Sequence, residues 1–132
     1  MNRVHKVPSE ETLIGHLGQE LLEVGPQRAT GRMVVADYIK QPLGLVHGGA
    51  LISLAETLAS TATAQAVSPE NRVAVGQEIN ASLIRPIASG TVHGEARCRR
   101  QGNSAWIWEV EITDDDGNLC ALVRCTIAVR PL

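Results

Sequence analysis

Apolar and polar positions change period partway along the chain, and the change divides it into parts. From Gly48 the residues Leu51, Leu54, Ala55, Leu58 and Ala62 fall on one helical face, Ser53, Glu56, Thr57, Ser60 and Thr63 share another, and Pro69 ends the pattern. Downstream the period is two. Residues 72–85 alternate loosely and stop at Pro86, and Ala88-Ser89-Gly90 predicts a turn. In residues 91–101, Val92, Gly94, Ala96 and Cys98 face one way and His93, Glu95, Arg97 and Arg99 the other. Gly102-Asn103 then leads into residues 105–113, where Trp106, Trp108, Val110 and Ile112 oppose Glu109 and Glu111. After the turn Asp114-Asp115-Asp116-Gly117-Asn118, the set Leu119, Ala121, Val123, Cys125, Ile127 and Val129 forms the longest apolar stripe in the chain, which predicts a central strand.

Upstream of the helix, Ser9 ahead of Leu13, Ile14 and Leu17 predicts a short N-capped helix closed near Gly18. Two extended runs, 20–24 and 31–37, are joined by Gly25-Pro26-Gln27-Arg28 and predict a hairpin. Residues 38–46, with Pro42 and Gly44, fit neither period and predict a loop. The predicted order is a hairpin, one long helix and an antiparallel meander of four strands, without repeat or linker. At 132 residues this is a single domain, 1–132. The helix carries no Lys or Arg, so it has too little polar surface to face water widely and is expected to be buried. A curved antiparallel sheet wrapped around one long central helix, an α+β arrangement, supplies the cover.

Composition excludes several function classes. Net charge is −2, with Lys and Arg scattered, and the aromatic residues are only Tyr38, Trp106 and Trp108, so neither a basic groove nor a base-stacking platform for nucleic acid is expected. Residues 1–18 lack the apolar core of a signal peptide, and the stretch 48–67 is too rich in Gly, Ser and Thr to span a membrane, so a cytoplasmic protein is expected. Cys98, Cys120 and Cys125 are odd in number and show no C-x-x-C spacing. His5, His16, His47 and His93 are scattered without metal-ligand spacing. Neither a disulfide framework nor a metal site is expected.

One residue of the helix stands out chemically. Glu56 is the only charge between His47 and Glu70, and a carboxylate in an apolar helix is costly unless it is paired or used.

The stretch Gln41-Pro42-Leu43-Gly44-Leu45-Val46-His47-Gly48-Gly49-Ala50, then Ala55-Glu56-Thr57-Leu58 with Ser60, then Val75-Gly76-Gln77-Glu78-Ile79-Asn80-Ala81 and Arg85-Pro86, resembles the hotdog-fold acyl-CoA thioesterases of the phenylacetate-pathway (PaaI-like) type. Close relatives within that group are the helix-glutamate 4-hydroxybenzoyl-CoA, enterobactin proofreading and 1,4-dihydroxy-2-naphthoyl-CoA thioesterases. The resemblance implies a hotdog fold and hydrolysis of an acyl-CoA or acyl-carrier thioester, with an aromatic or compact acyl group and no cofactor. It makes Glu56 the catalytic carboxylate, either attacking the thioester carbonyl or activating water. Gly48 would give its N–H as oxyanion hole at the helix N-terminus, where unpaired donors favour developing negative charge. His47 and Gln41 would orient the carbonyl, and Ser60, one turn past Glu56, would support the carboxylate or the water. Gly49, Asn80 and Leu83 would line the substrate site, where many relatives have a histidine in place of Leu83. Arg85, Arg99 and Arg100 present guanidinium forks suited to the coenzyme phosphates.

Two other activities fit the same outline, a hotdog enoyl-thioester hydratase or dehydratase and a non-catalytic acyl-CoA-binding protein. Assembly follows from helix geometry. Gly48 and Glu56 are eight residues apart, about 12 Å along a helix rising about 1.5 Å per residue. One carbonyl does not reach both, so each site is expected to draw on two chains of a homodimer or homotetramer, in keeping with the family's assemblies.

Overall fold

The computed structural model describes residues 5–132. A single turn of 3-10 helix at Ser9–Glu11 leads into α1 (Leu13–His16), closed by Gly18 at φ +67°. Ser9 does not cap it with its side chain; instead the Thr12 hydroxyl donates to the Ser9 carbonyl at 2.6 Å. The hairpin is β1 (Gln19–Val24) and β2 (Arg28–Val34). It is longer than the apolar pattern predicts at the turn, because Arg28 and Ala29 already pair with Arg97 and Ala96. It ends earlier, at Val34, and Asp37–Ile39 forms a 3-10 turn.

The helix α2 (Gly48–Val67) has the predicted bounds, and Asn71 at φ 56° turns the chain into β3 (Arg72–Leu83). The strands β4 (Thr91–Gln101), β5 (Ala105–Thr113) and β6 (Leu119–Pro131) follow. All six strands form one antiparallel sheet in the order β1-β2-β4-β5-β6-β3. The expected four-strand meander is therefore corrected: only β4, β5 and β6 meander. The β3 strand crosses to pair with β6, and β4 pairs with β2 of the hairpin.

The β2–β4 pairing has a packing reason. Gly31 and Gly94 are direct cross-strand partners, and the two Leu58 methyls lie where their Cβ atoms would stand. The paired glycines make a dimple in the sheet that seats a leucine of α2. Around it Leu54, Met33, Trp108, Val110, Ile112, Val123 and Ile127 are fully or almost fully buried, and Trp106 and Cys125 join the same core. Among the described residues no helix is long and apolar enough to cross a membrane, and no cluster of His, Cys, Asp or Glu could hold a metal.

A buried polar relay ties α2 to the sheet. The Trp108 Nε1–H donates to the Thr63 hydroxyl at 2.9 Å, and that hydroxyl donates to the Ala59 carbonyl at 2.8 Å. Thr63→Val keeps the shape and leaves a buried indole N–H without an acceptor. The expected loss is about 1–3 kcal/mol, read as a melting temperature several degrees lower in thermal denaturation.

Cover of α2 is less complete than the sequence predicts. Ile52, Ser53, Glu56 and Ser60 are only half-buried and Gly49 is exposed, so one stripe of the helix stays open. The stripe runs beside β3, whose outer edge pairs with no strand among the described residues and which exposes Val75 and, at its end, Leu83.

Candidate active site

The helix N-terminus is built by His47. Its φ of −61° and ψ of 131° place it just outside the helix, and its carbonyl accepts from the N–H groups of Ala50 and Leu51 at 2.9 and 3.3 Å. Its own N–H donates to the Ile39 carbonyl at 2.8 Å. The ring Nδ1 accepts from the Gly49 N–H at 2.8 Å, so the imidazole caps the helix. Gly49 thus spends its donor inside the chain. Among the described residues nothing accepts from the N–H of Gly48, which is left at the positive end of a 20-residue helix.

A cleft of about 250 Å³ opens beside that donor, walled by Gln41, Leu45, Leu51, Leu83, Ile84 and Arg85. Gln41 is fixed by its backbone, which donates to Leu45 at 2.8 Å and accepts from Gly44 at 2.9 Å, and its side-chain oxygen accepts from the Leu43 N–H. That leaves the Gln41 amide N–H groups as donors beside the cleft. Leu83 packs directly against Gly48, in space a side chain there would need. Arg85 is exposed, held by its N–H to the Cys120 carbonyl at 3.1 Å.

Glu56 lies two turns further along, outside this cleft. Its carboxylate has no hydrogen-bond partner among the described residues and rests over Gly76 of β3, with Cδ 3.3 Å from where a Cβ would stand. It is half-buried on the open stripe instead of sealed in the core. Among the described residues no cation pairs with it, so they do not neutralise the carboxylate with an internal Arg. Burial, and after it the charge of Glu56, pushes the Cys125 thiol up to about 12. That thiol stays protonated and is no nucleophile.

Within one chain the expected site residues therefore fall into separate places. Gln41, His47, Gly48, Gly49, Leu83 and Arg85 gather at the helix start, while Glu56 and Ser60 lie along the stripe, with Ser60 making no hydrogen bond to the carboxylate. Asn80 is exposed on β3, paired across the ladder with Arg124. Arg99 and Arg100 are at the opposite end of the molecule: they border a cavity with Gln101, which also lies beside Ala62 and Ala66 near the end of α2. Arg99 pairs with Glu109 at 3.2 Å, as a solvated charged face would. Gly76 and Cys125, the neighbours of Glu56, were not singled out by the pattern. The one available signal was an isolated glycine inside a strand, a mark of close approach.

Comparison with known proteins matches this geometry to a family. The model of the thioesterase superfamily matches residues 43–121, from the loop before α2 into β6. The chain is 41% identical over 123 residues to the proofreading thioesterase EntH of Klebsiella pneumoniae, an alignment covering 92% of this chain and 88% of that protein. It is 36% identical over 120 residues to a 1,4-dihydroxy-2-naphthoyl-CoA hydrolase of Escherichia coli, covering 91% and 88%. Among solved structures, a mutant thioesterase from Pseudomonas aeruginosa superposes with a TM-score of 0.90 at 33% identity, covering 94% of this chain and 89% of that one. A thioesterase from Haemophilus influenzae superposes with 0.88 at 32%, covering 94% and 86%. A curved six-stranded sheet around one helix, shared along almost the whole chain with these enzymes, makes the protein a member of the hotdog-fold thioesterase superfamily, a hydrolase of thioesters.

Proposed function

We propose that the protein hydrolyses coenzyme A thioesters of compact, aromatic acyl groups, with Glu56 as nucleophile or general base and the Gly48 N–H of a second chain as oxyanion donor. One observation carries this: the same helix holds an N-terminal donor and a carboxylate, and neither has a partner among the described residues of its own chain. They are about 12 Å apart along the axis. An oxyanion donor and an attacking group must both lie within about 3–3.5 Å of the reacting atoms. A two-fold dimer with antiparallel helices satisfies that, and the free β3 edge, the exposed Val75 and Leu83 and the open helix stripe are the surfaces such a dimer would cover.

In this site His47 acts through the helix cap, holding the first turn so that the Gly48 donor is aligned. Gln41 offers amide donors to the carbonyl, and Ser60 stands one turn from the carboxylate to hold it or its water. Arg85, exposed at the mouth of the cleft, is the arginine that meets a coenzyme phosphate. The chemistry needs no cofactor, because a carboxylate and an N–H supply the attack and the charge stabilisation. The relatives named for proofreading and for 1,4-dihydroxy-2-naphthoyl-CoA support the thioester, and the latter supports an aromatic acyl group on coenzyme A.

The test is thiol release across benzoyl-, 4-hydroxybenzoyl-, phenylacetyl-, naphthoyl- and palmitoyl-CoA. Aromatic substrates are expected to exceed palmitoyl-CoA in kcat/KM. Benzoyl- and 4-hydroxybenzoyl-CoA are expected to be comparable, since Leu83 puts a methyl group where a polar side chain would favour the hydroxyl. Fastest turnover of palmitoyl-CoA overturns the acyl assignment. No release from any of them, with hydration of an enoyl-CoA instead, overturns the hydrolysis.

A further inference from the structure

Gly76 poses a question the backbone does not answer. It lies inside β3, paired with Ile127, and its φ is not in the left-handed region, so the conformation does not call for glycine. Glycine inside a strand weakens it, since there is no side chain to pack and more freedom is lost on folding. The space above its Cα explains the cost. The three heavy atoms nearest to where a Cβ would stand are Oε1, Cδ and Cγ of Glu56, with Oε1 closer than any real Cβ permits. The other strand glycines facing α2 differ in what fills their space: at Gly94 all three nearest atoms are apolar core side chains, and at Gly31 the Leu58 methyl is joined only by the Glu20 backbone. Of these, only Gly76 leaves its room to a carboxylate.

We propose that Gly76 is a positioning residue for Glu56, its missing side chain being the seat in which the catalytic carboxylate lies. The proposal rests on the role of Glu56 given above. A second feature of the strand serves the same seat: the β3–β6 register slips between Gly76 and Glu78, a bulge that locally bends β3 beside the carboxylate. On the neighbouring strand Cys125 is buried and close enough to feel the charge of Glu56, and it pairs with Ile79 just beyond the bulge. Because nothing among the described residues hydrogen-bonds the carboxylate, the shape of this floor is what decides where its oxygens stand.

The decisive variant is Gly76→Ala. The atom it displaces is the tip of a flexible, half-buried side chain, so the sheet is expected to fold normally and the carboxylate to swing away. Thermal denaturation is expected to show an unchanged or raised melting temperature, since alanine restricts the unfolded chain at a compatible position. With benzoyl-CoA, or the fastest thioester of the panel, kcat is expected to fall about 100-fold, the scale of a misplacement near 1 Å, with KM little changed. A merely structural glycine would lower stability and leave kcat near wild type.

The second arm uses Glu56→Asp, whose shorter carboxylate withdraws from the seat. This variant is slow by itself, and adding Gly76→Ala to it is expected to cost less than about 3-fold, against about 100-fold in the glutamate enzyme. Equal losses in both backgrounds, or full kcat in Gly76→Ala, overturn the proposal. If the aspartate enzyme is too slow to assay, the crystal structure of Gly76→Ala decides, by whether the Glu56 carboxylate has left the seat or stayed. Glu56→Gln separates the two levels. Full turnover by that variant removes the role of Glu56 itself, whereas its inactivity beside an unimpaired Gly76→Ala removes the positioning role alone.

Discussion

Glu56→Gln is expected to lower kcat about 10²- to 10⁴-fold while leaving the melting temperature near wild type. The amide fills the same volume, so the Gly76 seat and the helix stripe are undisturbed, but it neither attacks a carbonyl nor takes a proton from water. Stability is spared because the carboxylate has no ion pair or hydrogen bond among the described residues to lose. The measurement is thiol release at saturating benzoyl-CoA, with thermal denaturation as the control. Turnover within a few-fold of wild type would remove Glu56 from the chemistry. Ser60→Ala is expected to cost much less, because a hydroxyl one turn away only supports the carboxylate.

Mixing two dead variants is expected to restore activity. Glu56→Ala removes the attacking group, and Gly48→Pro removes the oxyanion donor. Proline suits that position: it is the first residue of the helix, and the ψ of 131° at His47 is the conformation a residue before proline adopts. Leu83 must give way, and it is an exposed leucine at the edge of the cleft. After random exchange of subunits half the dimers are mixed. Each mixed dimer holds one site with both defects and one with neither, so about a quarter of wild-type activity returns if the site is shared across a two-fold axis. A mixture as inactive as its parents, with exchange confirmed by native mass spectrometry, places the whole site within one chain.

Much of the fold was legible because side-chain period reports which way a residue faces. The bounds of α2 and the inward positions Ala121, Val123, Cys125, Ile127 and Val129 of β6 follow from that, and the breaks at residues 88–90, 102–103 and 114–118 follow from turn residues; Leu119, predicted on the same stripe of β6, is instead exposed at the strand's first position. Strand order did not follow, because alternation is the same whichever neighbour a strand takes. The pairing of β2 with β4 depends on Gly31 meeting Gly94 under Leu58, and two glycines 63 residues apart announce nothing in a linear pattern. The open stripe was hidden for a related reason. Gly49, Ser53 and Ser60 are small enough for either a core or a surface, so only Glu56 hinted that the stripe is not sealed.

At the candidate site, Glu56 stood out as the one charge of an apolar helix, whereas Gly48 was named only through the resemblance. The task of His47 was not readable: a ring nitrogen on the Gly49 N–H at 2.8 Å is a matter of one rotamer. Nor was the separation of Arg85 from Arg99 and Arg100, which depends on β3 and β4 running from opposite ends of α2. Sequence distance along the chain gave no measure of it.

The glycine dimple under Leu58 also restricts how the protein can move. A leucine seated on two glycines, with Leu54 beside it against Gly94, works as a locating pin. To slide along its axis α2 would have to lift that side chain out over the backbone of both strands, and close-packed interiors leave no room for such a lift. Rocking about the pin is the motion this seat does not itself block. A tilt would move the two ends of the helix in opposite senses, resisted at the far end by the Trp108–Thr63 hydrogen bond, while Glu56, two residues from the pivot, would shift least. In the proposed enzyme, opening for the acyl group would therefore come from the helix start and the Gln41 loop, with the Glu56 carboxylate staying in place.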